Sequence, residues 1–180
     1  MLFALEKLQH DFAQRQLPFV DIGMGINTGD MSVGNMGSQE RFCYTVMGDA
    51  VNLGSRIEQL TKLYKVHLIV SDTTVDRLIS KPTLRELDDV MVKGKHEGIR
   101  IHQVLKPGEM DEKILKEFLG HFAEARMHYK QQQWEKALRS FQECLKMVPN
   151  DGPSVLFCKR IEEYKQQPFL ENWDGVYKTL

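Results

Sequence analysis

Phe42-Cys43-Tyr44-Thr45-Val46-Met47-Gly48-Asp49-Ala50-Val51-Asn52-Leu53-Gly54-Ser55-Arg56 decides how the rest of this 180-residue chain is read. Phe42 to Val46 has the aromatic and β-branched character of a strand. Gly48-Asp49 breaks it, and a helix is predicted from about Asp49 to Leu63 with Asp49 as N-cap. Asn52 and Arg56 lie four positions apart, so a helix presents both on one face. An amide and a planar guanidinium one turn apart, just past a turn, suit a phosphorylated sugar better than a core.

On the amino-terminal side, Leu2, Leu5, Leu8 and Phe12 fall at helical spacing until Pro18. Val20, Ile22, Met24 and Ile26 alternate, which predicts a buried strand from Phe19 to Ile26. Asn27-Thr28-Gly29-Asp30 is a turn, and Met31 to Met36 a second strand. Gly23-Met24-Gly25 begins like a dinucleotide fingerprint, but Thr28 fills the third glycine position and a turn follows. On the carboxy-terminal side, His67 to Val70 reads as a strand, and Ser71-Asp72 opens a brief helix to about Ile79. Leu84–Val92 and Ile99–Leu105 form a hairpin around Lys93-Gly94-Lys95. Strands interleaved with helices predict an α+β layered fold for residues 1–105.

Composition shifts at Lys106-Pro107-Gly108-Glu109, and residues 106–110 read as a linker. Residues 111–180 are helical and polar, and Tyr129, Trp134, Ala137, Phe141, Cys144 and Pro149 follow tetratricopeptide spacing, with Ala125 the small residue on the first helix. The other reading is a generic antiparallel helix pair. Residues 153–166 would begin a further, incomplete repeat that caps the first, and the tail around Trp173 would fold back on the helices.

Bulk composition narrows the function classes. Residues 1–105 carry 12 basic and 13 acidic groups and residues 106–180 carry 12 of each, so no basic excess points to nucleic acid. No apolar run approaches the roughly 20 residues of a membrane span. Cys43, Cys144 and Cys158 lack CxxC or zinc spacing and read as buried, reduced thiols. His121 and His128 would share a helix face, but no further ligand completes a metal site.

The combined pattern Ile26-Asn27-Thr28-Gly29-Asp30, Val33-Gly34-Asn35-Met36-Gly37 and Tyr44 to Arg56 resembles the class III nucleotidyl cyclases, and the resemblance runs through Val92-Lys93-Gly94-Lys95 to about Leu105. It implies a ferredoxin-like cyclase domain that lacks its first strands, followed by the helical hairpin. Asn52 would orient the ribose, and Arg56 would hold the phosphate attacked by the 3′-hydroxyl. Thr45 would read the purine edge in the manner that accompanies adenine. Lys95, or else Lys93, would bind the triphosphate tail. Without the resemblance, Asn52 is a first-turn polar residue, Arg56 a surface partner of Glu58 or Asp49, and the two lysines a solvated hairpin tip.

The family's two metal-binding aspartates, which precede the segments matched here, find no counterpart. Asp21 falls in the wrong strand and Asp30 in a turn. Magnesium or manganese, ATP and a head-to-tail cyclase dimer are therefore implied for a complete enzyme. The chain alone is expected to be inactive, and to be the carboxy-terminal part of a larger adenylate cyclase. A cytoplasmic location follows, with any membrane anchor further upstream. Loss of leading strands would expose a sheet edge. The rival reading is a non-catalytic interaction module whose helical repeat recruits a protein partner.

Overall fold

The computed structural model describes residues 2–38, 41–91, 98–166 and 173–178. In chain order the elements are α1 (Leu2–Gln14), β1 (Met24–Ile26), β2 (Ser32–Ser38), β3 (Arg41–Met47), α2 (Asp49–Tyr64), β4 (Leu68–Ser71), α3 (Asp72–Val75), β5 (Leu84–Met91), β6 (Ile99–Val104), α4 (Glu112–Lys130), α5 (Trp134–Met147), α6 (Gly152–Lys165) and β7 (Tyr177–Lys178). The main sheet has the order β1-β4-β6-β5-β7, and β2 and β3 form a separate antiparallel ribbon. The α+β architecture predicted from the sequence is the one the chain adopts.

Three local expectations are corrected. The strand expected from Phe19 shrinks to Met24–Ile26, because β4 begins at Leu68 opposite Met24 and no described strand lies beside the earlier residues. Phe19 is left 77% exposed. The helix expected to reach Ile79 ends at Val75, capped as anticipated by Ser71, whose Oγ accepts from the Thr74 amide at 3.3 Å. The N-cap of α2 is Gly48, not Asp49. With φ at +153° and a Cβ there only 3.2 Å from the Asp30 carbonyl oxygen, Gly48 makes a turn that a side chain would strain, and Asp49 becomes the acidic first residue of the helix.

Helix α2 buries Leu53, Ile57, Leu60, Thr61 and Tyr64, a stripe at spacing three and four. Leu53, Ile57, Leu60 and Tyr64 belong to one apolar cluster with Ile69, Leu87 and Ile101 of the sheet and with Phe118, Phe122, Phe141 and Phe157 of the helices. The core therefore crosses the 106–110 connection without a break. Among the carboxy-terminal helices, Ala125 and Ala137 are fully buried, which lets α4 and α5 approach closely. Phe122 meets Phe141 edge-on at 5.5 Å, and Phe141 stacks on Phe157 at 4.8 Å. Asp111 caps α4 and Asp151 caps α6 through their carboxylates. The tail returns to this unit: Trp173 donates its indole N–H to the Lys130 carbonyl at 3.1 Å, and β7 adds in parallel to β5.

Strand β5 joins the two layers. A bulge between Glu86 and Asp88 breaks its alternation, so Arg85, Leu87, Asp88 and Val90 are all buried. Arg85 donates to Asp151 at 2.8 Å and lies over the rings of Phe118 and Phe122. Asp88, fully buried, accepts from Tyr64 Oη of α2 at 2.6 Å and from Arg160 Nη1 of α6 at 2.7 Å, and pairs with Arg126 Nη1 of α4 at 2.8 Å. One carboxylate thus receives three elements. Removing its charge leaves the buried Arg160 guanidinium without a carboxylate and Arg126 with Asp89 alone, so Asp88→Asn, which leaves no cavity, is expected to lower the unfolding free energy by about 3 kcal/mol in urea titrations.

Candidate functional site

The helix that carries Asn52 and Arg56 is seated on β1 backbone against backbone. A Cβ built on Gly25 would lie 2.2 Å from the Glu58 amide nitrogen and 2.6 Å from the Gly54 carbonyl oxygen. Only glycine permits this approach, which gives Gly23-Met24-Gly25 a packing meaning in place of a nucleotide-loop one. Asn27 then fixes the first turn of α2. Its Nδ2 donates to the Ala50 carbonyl at 2.9 Å, while its Oδ1 accepts from Ser71 Oγ at 2.6 Å and Thr73 Oγ1 at 3.1 Å. Thr28 Oγ1 and Thr74 Oγ1 lie 3.0 Å apart beside them. One amide side chain therefore ties the ends of β1 and β4 to the start of α2.

Asn52 and Arg56 each precede a buried residue, Leu53 and Ile57, so they project to the flank of the core stripe. Asn52 is exposed and Arg56 half-buried. Thr45 sits on β3, opposite Gly34 of β2, also half-buried. The structure thus sets Thr45 on the strand that leads into the helix carrying Asn52 and Arg56. Lys93 and Lys95 lie outside the described residues. The far end of α2 is held by Tyr64, whose phenol is pushed well above its ordinary pKa by burial first and by the Asp88 carboxylate second.

Asp21 Oδ1 accepts from the Ile22 amide at 2.9 Å and faces His67 Nδ1 at 3.2 Å. Among the described residues no three His, Cys, Asp or Glu side chains converge on a point that could hold an ion. His121 and His128 each stand beside Glu124, and His128 also meets Gln133 at 2.9 Å. The thiols divide. Cys43 is exposed, correcting the expectation of burial, because its strand belongs to the outlying ribbon. Burial pushes the Cys144 thiol up to about 12 and the Cys158 thiol to about 11.

Sequence reasoning missed Asn27, Gly25 and Tyr64. Asn27 and Gly25 carried a local signal, a turn and a glycine pair, whose partners lie far along the chain. Tyr64 carried only the helical spacing of a core residue.

The profile of the adenylate and guanylate cyclase catalytic domain matches residues 1–106, and that of the tetratricopeptide repeat matches residues 118–151. The chain is 37% identical, over 78% of its length, to "Adenylate cyclase, terminal-differentiation specific" of Dictyostelium discoideum. It is 44% identical, over 49% of its length, to an adenylate cyclase of Anabaena cylindrica. These matches span 7% and 18% of the two relatives. Among solved structures, the adenylyl cyclase CyaB from P. aeruginosa superposes with a TM-score of 0.51 and 28% identity, over 59% of this chain and 54% of that one.

Two measurements check this geometry. Gly25→Ala forces α2 off β1 and is expected to cost about 1–3 kcal/mol in urea unfolding, as overpacking does. With Ellman's reagent at pH 8, Cys43 alone is expected to react promptly in the native chain, since raised pKa values keep Cys144 and Cys158 protonated, and denaturation releases all three.

Proposed function

The chain belongs to the adenylate and guanylate cyclase catalytic-domain family through residues 1–106, and from that membership we propose that it supplies one half of an adenylate cyclase site. In this reading Asn52 orients the ribose of ATP. Arg56 holds the α-phosphate as the 3′-hydroxyl attacks, pyrophosphate leaves and 3′,5′-cyclic AMP forms. Thr45 reads the adenine edge, and Lys95 or Lys93 steadies the triphosphate. The observation that carries the proposal is the presentation of Asn52 and Arg56, outside the core, on a helix clamped at Gly25 and Asn27.

The physical chemistry supports the assignment. Intramolecular displacement at phosphorus asks the protein for alignment and charge stabilisation rather than for a covalent intermediate. A guanidinium fork matches two phosphate oxygens at once, and its value rises as charge spreads over them in the transition state. The family's magnesium or manganese would need carboxylates that the described residues do not bring together.

The other half of the site is assigned to a second cyclase chain. One face of the β2–β3 ribbon offers it an apolar surface, with Val33, Tyr44 and Val46 exposed. No helix among the described residues is long and apolar enough to cross a membrane, and we place the domain in the cytoplasm, where its nucleotide is found.

The purified chain is expected to make no cyclic AMP from ATP with magnesium or manganese. Mixed with a cyclase chain that keeps both metal aspartates but has alanine at its own Asn/Arg pair, it should restore the product. Arg56→Ala should then lower the rate by about two orders of magnitude. Absence of product from the mixture, with the unmodified partner active by itself, would leave the non-catalytic interaction module as the reading.

A further inference from the structure

We propose that Arg160, in the carboxy-terminal helices, is a positioning residue for the helix that bears Asn52 and Arg56. This rests on the half-site reading above. Helix α2 runs unbroken from Asp49 to Tyr64. Its amino-terminal half is fixed by Asn27 and Gly25, and its last residue is fixed jointly by Asp88 of β5 and, from outside the cyclase layer, by Arg160 of α6. Arg160 Nη1 donates to Asp88 Oδ2 at 2.7 Å and Nη2 donates to Tyr64 Oη at 3.3 Å, while that hydroxyl donates to the same carboxylate oxygen at 2.6 Å. Carboxylate, phenol and guanidinium close a three-membered ring of bonds across β5, α2 and α6.

The guanidinium is held on other sides too. Its central carbon lies 3.4 Å from the Tyr177 ring centroid and 5.2 Å from that of Phe157. The start of α6 also abuts the end of α2, since a Cβ on Gly152 would fall 2.3 Å from the Tyr64 carbonyl oxygen. A planar fork suits the arrangement because it reaches an acid and a hydroxyl together; a lysine ammonium reaches them only as a point charge.

A helix is stiff at this length. Arg56 stands about 12 Å and Asn52 about 18 Å from Tyr64 along its axis. A tilt or rotation allowed at Tyr64 is therefore carried to both groups, and displacement of about 1 Å at a reacting centre can cost a hundredfold in rate. Helix α6, which follows the repeat, acts on the chemistry through this seat, and an event that shifts it is read at Arg56.

The test uses the full chain co-assembled with the partner described above, and two readouts. Arg160→Met is expected to lower kcat about tenfold with KM for ATP within about twofold, because Arg56 acts mainly in the transition state. Arg160→Lys should recover part of that loss, and Lys165→Ala, which removes a surface pair with Glu135, should change neither constant. In hydrogen exchange the same Met variant should speed the amides of residues 50–57 at least threefold. If Arg160→Met fails to fold, Tyr64→Phe, which keeps the ring and removes the hydroxyl, carries the comparison. Unchanged kcat, or faster exchange confined to residues 60–66 and 152–164, overturns the proposal. If even the wild-type assembly makes no cyclic AMP, the cyclase reading fails, and exchange at residues 50–57 alone decides the positioning role.

Discussion

A single carboxylate holds this molecule together. Asp88 lies out of reach of water, where an uncompensated negative charge would cost several kcal/mol. Its compensation comes from Tyr64, Arg126 and Arg160, which are distant in sequence and sit on three different helices. None of the three helices can move off β5 without leaving a charge or a hydroxyl stranded. Arg85 and Asp151 repeat the device a few residues away, with Asp151 also serving as the cap of α6.

The cluster exists because β5 breaks its own alternation. In a regular strand Arg85 and Asp88 would face opposite sides of the sheet. The bulge at Leu87 turns both toward the helices, and the next regular positions then bury Val90 while leaving Asp89 at the margin beside Lys130 and Arg126. Asp89 is held below the ordinary carboxylate range, where the contacts with Lys130, Arg126 and Arg100 outweigh the opposing effect of burial. The charge on that margin is therefore kept through the neutral range.

Much of the architecture was legible in the sequence because it rests on local signals. The aromatic and β-branched character of Phe42 to Val46, the Gly48-Asp49 break and the alternation of Val20, Ile22, Met24 and Ile26 mark strands and a turn without reference to anything remote. Ala125, Ala137 and Phe141 likewise announce a close helix pair. What stayed hidden depends on pairs far apart in the chain. Asp88 looks like an ordinary polar residue in a strand until Arg126 and Arg160 are placed over it. Gly25 looks like half of a failed dinucleotide fingerprint until Gly54 and Glu58 lie against it. Asp49 was misjudged as a cap for a different reason: the favoured residue type lost to the backbone angle that only Gly48 supplies without strain. Of the candidate site, the Asn52 and Arg56 face was readable from i to i+4 spacing, while the Asn27 anchor required the folded ends of β1 and β4.

The cyclase layer and the carboxy-terminal helices form one cooperative body, with α6 acting as the footing of α2. A double-mutant cycle between Asp88 and Arg160, measured by urea unfolding of the single and double variants, tests that claim most directly. The account predicts a coupling energy of about 2 kcal/mol or more, because each partner strands the other when removed alone. Additive losses, within about 0.5 kcal/mol, would show that the two residues stabilise the fold independently and would contradict it.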